Sequence, residues 1–151
     1  MDIATARGIA HYSHAGQRTR FGNPLTEHVE RVATAVPRHA RSVAYLQDVL
    51  ENSPTTITEL LDQGLTPLEQ AALALLTCEP SESYELHVLR IAHAPGAAGS
   101  LARAVKLADL EDHLSEAPAV PGAPPYAWAR RHIEFARDHR GERTLAAAPA
   151  A

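Results

Sequence analysis

Cysteine is nearly absent from this chain: Cys78 stands alone among 151 residues. One thiol forms no internal disulfide and no cysteine metal site, and its expected place is a half-buried helix end. Aromatic residues make up only 5% of the chain, so the core must be built from aliphatic and alanine side chains. No apolar run is long enough to span a bilayer. The opening MDIATARGIA lacks the basic stretch and apolar core of a secretory signal. A cytoplasmic protein without membrane contact is therefore expected. Positive charge is also in short supply: 14 Lys and Arg against 18 Asp and Glu give a net charge of −4. That balance argues against nucleic acid as a partner. Strand-like alternation is nearly missing, and no internal repeat is visible.

What remains is helical spacing. The length is that of one ordinary domain, expected over residues 1–144, with a low-complexity tail over 145–151 expected to be disordered. Asp2 predicts the cap of a first helix to His14, with Gly16 ending it. Val29, Val32, Ala33 and Val36 mark the buried face of a second helix from Leu25 to before Pro37. A third is predicted from Arg38 to Glu51, with Val43, Leu46 and Leu50 as its apolar stripe. Thr56 and Glu59, then Thr66, Pro67 and Glu69, have capping-box spacing for two more helices. Another is predicted over Ser83 to Ala94, and Ser100 is expected to cap the next. The stretch Ala117 to Pro125 holds four prolines, so it reads as an extended linker. A last helix from Pro125 to His139 carries Trp128, Ile133 and Phe135, and could cover either the core or a pocket mouth.

Three of these helices present a candidate ligand at or beside an apolar face: His28, Asp48 and Asp109. Carboxylates so placed need partners, and a shared cation is the simplest one. Oxygen-rich sites with one or two imidazoles suit manganese, magnesium or iron. Structural capping or salt bridging is the competing reading on spacing alone.

The stretches HAGQ (His14 to Gln17), GNPLTEHVERVA (Gly22 to Ala33), YLQDVLEN (Tyr45 to Asn52) and VKLADLEDHL (Val105 to Leu114) resemble the small HD-domain phosphohydrolases. That family includes the guanosine tetraphosphate hydrolases of the stringent response. The resemblance covers roughly Met1 to Leu114 and implies a compact all-α helical bundle. It also implies a divalent metal, usually manganese with iron or magnesium as alternatives, held by a histidine, a His-Asp pair and a distant aspartate. His28, Asp48 and Asp109 match that set, but the histidine of the pair is Gln47. A neutral amide oxygen is a weaker ligand than imidazole, so the resemblance implies a weakened or metal-free site.

Further departures accompany that one. The acidic pair that orients or activates the attacking water is Glu51-Asn52 here; Glu51 is either a general base or a solvated helix-end acid. The arginine-lysine pair that meets the guanine base becomes Thr19 and Arg20, leaving Arg20 and Arg18 as phosphate contacts. The asparagine four residues past the last aspartate is His113, read either as a substitute ligand or as a surface histidine. Lys106 could contact phosphate or pair with Asp109 along the helix. Tyr84, His87 and Arg90 share a helix face that could line a pocket or simply form an amphipathic boundary. The leading expectation is a metal-dependent hydrolase of a nucleotide or related small phosphate ester. The alternatives are a degenerate HD domain that binds a nucleotide or protein without hydrolysis, and a scaffold redirected to biosynthetic chemistry.

Overall fold

The computed structural model describes residues 1–116 and 124–140. The expected tail, and most of the proline-rich linker, lie outside those residues. The fold is all-α, as the spacing predicts, with no strand among the described residues. Its α-helices are α1 (Ile3–Ser13), α2 (Leu25–Ala35), α3 (Arg41–Leu46), α4 (Val49–Asn52), α5 (Ile57–Asp62), α6 (Pro67–Leu76), α7 (Tyr84–His93), α8 (Gly96–Glu116) and α9 (Tyr126–His139).

Local chemistry fixes most helix starts. Asp2 accepts the Thr5 N–H, Ser83 accepts the Leu86 N–H, and Thr56 and Thr66 form full capping boxes with Glu59 and Glu69. Such caps satisfy backbone donors that have no partner within the helix. The long α8 is the centrepiece and packs on α2, α6, α7 and α9. Val29, Val32, Val43, Leu46, Leu73, Ile91, Val105, Leu110 and Ile133 fill the interior between these helices. At roughly 1.5–3 kcal/mol for each fully buried large aliphatic chain, this core supplies the main drive to fold.

Arg103 is also fully buried. Its Nη1 donates to the carbonyls of Ile91, Ala92 and Ala94 at 3.2, 3.3 and 2.6 Å. It thus closes the C-terminal end of α7, where carbonyls have no intrahelical donor.

Three sequence expectations need correction. The helix predicted over Arg38 to Glu51 is broken: a 3₁₀ turn over Arg38–Ala40 leads into α3, and a turn at Gln47 and Asp48 separates α3 from α4. Aspartate is a poor helix-interior residue, and Asp48 sits at φ −98°, ψ −7°, the bridging conformation of turns. Leu50 is consequently only partly buried and Val49 takes the core position. Ser100 does not cap α8, which starts four residues earlier at Gly96; the alanines before Ser100 favour helix, and Gly96 turns the chain at φ +71°. On α9, Ile133 is buried while Phe135, two residues on, points away from that face and is 64% exposed.

Candidate metal centre

The centre lies where α2, the α3–α4 turn and α8 meet. His28 is 1% exposed. Its Nδ1 bonds Asp112 Oδ2 at 2.7 Å. Asp112 is itself held by Arg31, whose Nε and Nη2 donate to Oδ1 and Oδ2 at 2.6 and 2.9 Å. Arg31 also bonds Glu116, which accepts from Asn23 Nδ2 at 3.0 Å. This clasp between α2 and α8 fixes the imidazole and directs Nε2 inward, the carboxylate–histidine arrangement that supports metal-binding histidines.

Nε2 faces two carboxylates. Asp109 Oδ1 is 3.3 Å away and Asp48 Oδ2 is 3.8 Å away. The break in α3 is what brings Asp48 to this point. Asp109 is buried and receives Lys106 Nζ on Oδ2 at 2.7 Å, one helical turn earlier on α8. The intrahelical pair foreseen for Lys106 is therefore present. Gln47 is buried, and its Nε2 approaches Asp109 Oδ1 at 3.4 Å. The amide thus presents its donor end to the acid, the reverse of a ligand's polarity. His113, one turn after Asp109, brings Nε2 to 3.2 Å from the same Oδ1.

Burial pushes the Asp48 carboxyl up, and the Asp109 charge pushes it further. Burial also opposes ionisation of Asp109, but Lys106, His113 and His28 outweigh it and hold its carboxyl well below the usual range. Burial would lower the His28 imidazole, yet the bond and charge of Asp109, with Asp48 and Asp112 adding, raise it to about 9. Burial likewise opposes the Lys106 charge, and Asp109 reverses that. Opposite charges within about 4–6 Å shift groups in this sense.

His28 and Asp48 open onto a cleft of about 490 Å³, lined also by Gln17, Arg18, Arg20, Asn52, His113 and Tyr126. Arg18 Nη1 donates to the Gly22 carbonyl at 2.7 Å, and the Asn52 carbonyl accepts from Gln17 Nε2 at 2.7 Å. Tyr126, at the start of α9, stacks on His113 with centroids 4.8 Å apart and planes at 8°. His113 in turn stacks on His28 at 4.8 Å and 24°. The last helix therefore covers both the core, through Ala129 and Ile133, and the cleft, through Tyr126.

Other expected site residues lie further out. Glu51 Oε1 accepts the Cys78 N–H at 2.5 Å; burial and the nearby Asp48 push its carboxyl up, against the pull of that bond. Tyr84 meets Tyr126 edge-on at 6.3 Å, its hydroxyl is buried without a hydrogen-bond partner, and burial pushes it up to about 12. Arg90 belongs to a separate cluster. There Cys78, Glu82 and His87 offer ligand atoms within 4.8 Å of one another. Arg90 already supplies the cation: its Nε and Nη2 donate to Glu82 at 2.8 and 2.7 Å, and Nη2 lies 3.2 Å from His87 Nδ1. It also ties down the Ala74 and Thr77 carbonyls at 3.0 and 2.9 Å. This cluster is a clasp on the α6–α7 loop.

Asp112, Arg31 and Tyr126 were not foreseen in these roles. Asp112 follows Asp109 by three residues and so shares its helix face, a signal the sequence does contain. Tyr126 reaches the cleft from across the proline-rich stretch, and no local pattern announces it. No protein-family model matches this chain, and no curated protein matches it.

Proposed function

We propose that this chain is a metal-dependent phosphohydrolase of the HD-domain type, acting on a small phosphate ester such as a nucleotide. The observation that carries this reading is the convergence of His28 Nε2 with the Asp109 and Asp48 carboxylates, at 3.3 and 3.8 Å, on the cleft. Two buried-side acids that disfavour each other's charge, beside an imidazole whose far nitrogen is fixed by Asp112, form a donor set suited to a hard divalent cation. Manganese suits this mixture of carboxylate and imidazole, and iron or magnesium are alternatives.

When bound, such a cation lowers the pKa of water and polarises a phosphoryl oxygen. The chain's own residues supply the rest. Arg18 and Arg20 at the cleft place positive charge where a phosphate would enter. Glu51, its carboxyl pushed up by burial and by the nearby charges of Asp48 and Asp109, is assigned the proton of the attacking water. Water's oxygen forms the new bond to phosphorus, and the ester oxygen leaves as an alcohol after taking up a proton. Lys106 holds Asp109 in place from behind.

A second reading is a binder without hydrolysis, and it has its own support. Lys106 and His28 both pair with Asp109, and Gln47 offers it a donor, so much of the site's charge is balanced by side chains. Phosphate release from nucleoside mono-, di- and tetraphosphates in the presence of manganese separates the two. The hydrolase reading expects release that Asp109→Asn abolishes. Tight nucleotide binding with no release at any manganese concentration would leave the binder.

A further inference from the structure

We infer that His113 is a metal ligand, standing in for the imidazole that position 47 lacks. The inference rests on the metal-binding reading of the site above and goes beyond it in naming the ligand set.

The contacts converge on Asp109 Oδ1. Three nitrogens crowd this single oxygen: His28 Nε2 at 3.3 Å, His113 Nε2 at 3.2 Å and Gln47 Nε2 at 3.4 Å. A well-formed N–H···O bond measures about 2.9–3.0 Å. The His28 ring is held on its other side by a close bond, 2.7 Å to Asp112, so Nε2 is fixed facing the site at a separation longer than a direct bond to Asp109. Ligand atoms that share an ion at about 2.0–2.2 Å from it stand roughly 2.8–3.6 Å apart, from octahedral to tetrahedral angles. The separations His28–Asp109 and His113–Asp109 fall in that interval, and all three ligand atoms lie within 4.8 Å of one another. This is the spacing of a ligand cage around a centre; Asp48 Oδ2 stands outside that group of three, 3.8 Å from His28.

Position and rigidity favour His113 over Gln47. Asp109 and His113 are four residues apart within α8, so one rigid helix presents both to the same point. The ring of His113 is sandwiched between those of His28 and Tyr126, with Phe21 edge-on at 6.5 Å. Its orientation is therefore fixed before any ion arrives. Gln47 instead turns its amide nitrogen, which has no lone pair to give an ion, toward Asp109 at 3.4 Å. His113 Nδ1 is buried without a hydrogen-bond partner. It lacks the support that Asp112 gives His28, so His113 is the weaker of the two imidazole ligands.

The test counts imidazoles on bound manganese by pulsed electron spin-echo spectroscopy, with affinity from manganese titration of the chelator-stripped full chain. The expected count is two imidazoles for the unmodified protein and one for His113→Asn, with affinity lower by about 10–100-fold. Gln47→His combined with His113→Asn is expected to return the count to two. A single imidazole in the unmodified protein, with affinity unchanged in His113→Asn, would overturn the role of His113 and leave the metal site standing. No manganese uptake by either the unmodified chain or Gln47→His would remove the metal reading and His113 with it. Because the count on the unmodified protein needs no variant, a misfolded substitution does not cloud the result.

Discussion

Replacing Asp109 by asparagine in metal-free buffer should destabilise the protein substantially. Asp109 is the acceptor for Lys106 Nζ at 2.7 Å, and both side chains are largely shielded from water, at 6% and 16% exposure. Removing one partner of a buried pair leaves an uncompensated charge and costs about 3–5 kcal/mol. The substitution also ends the mutual disfavour of Asp48 and Asp109, whose charge helps push the Asp48 carboxyl up. That relief offsets a small part of the loss. The net expectation is a loss of about 2–4 kcal/mol. For a chain of this size each kcal/mol shifts the melting temperature by about 2–4 °C, so the transition should fall by roughly 4–16 °C. Adding Lys106→Met removes the orphaned ammonium and should recover a large part of the loss. Thermal unfolding followed by circular dichroism, with chelator present throughout, reads both steps. An Asp109→Asn protein that melts within about 1 °C of the original, or a double variant less stable than the single one, would refute the view of Asp109 as the charge hub of the site.

Further expectations concern other parts of the molecule. Asp112→Asn should weaken manganese binding about 10–100-fold with the fold preserved, because Asp112 holds His28 Nδ1 at 2.7 Å; calorimetric titration with manganese measures this. Gly99→Ala should cost about 1–3 kcal/mol by overpacking, since a Cβ there would stand 2.2 Å from the Ala94 carbonyl oxygen; urea unfolding measures it, and a neutral result would contradict the close α7–α8 approach. The Arg90 guanidinium holds the Glu82 carboxyl down at about 2, against an ordinary 4.5. The stability Glu82 contributes is thus complete above about pH 4.5 and lost as pH falls toward 2. The stability difference between the original protein and Glu82→Gln should shrink across that window, and a constant difference would count against the clasp.

The parts of the fold that were legible in the sequence were those written in local chemistry. The capping boxes at Thr56 and Thr66, the cap at Asp2 and the spacing of Val29, Val32 and Ala33 need no distant partner to be read. The break at Gln47 and Asp48 was not legible, because periodicity continues through it and the turn is held by contacts to α2 and α8. For the same reason Ser100 looked like a cap: a serine before an apolar run resembles a start wherever the alanines before it are not weighed. In the site, His28, Asp48 and Asp109 were nominated by sequence and the fold does gather them. Arg90 was nominated on the same grounds, yet its guanidinium engages the α6–α7 loop, and Glu51 commits one oxygen to that loop as well. The difference lies in which neighbour each side chain meets, and one-dimensional spacing does not hold that information. Tyr126 was missed because its role depends on how α9 folds back over the cleft.

The central claim is that His28, Asp109 and their neighbours form a cation site. Manganese titration of the chelator-stripped protein, beside His28→Ala, tests it most directly. Saturable uptake of about one ion per chain is expected for the original protein and is lost in His28→Ala, with both proteins folded by circular dichroism. No uptake by the original protein, or equal uptake by the two, would contradict it.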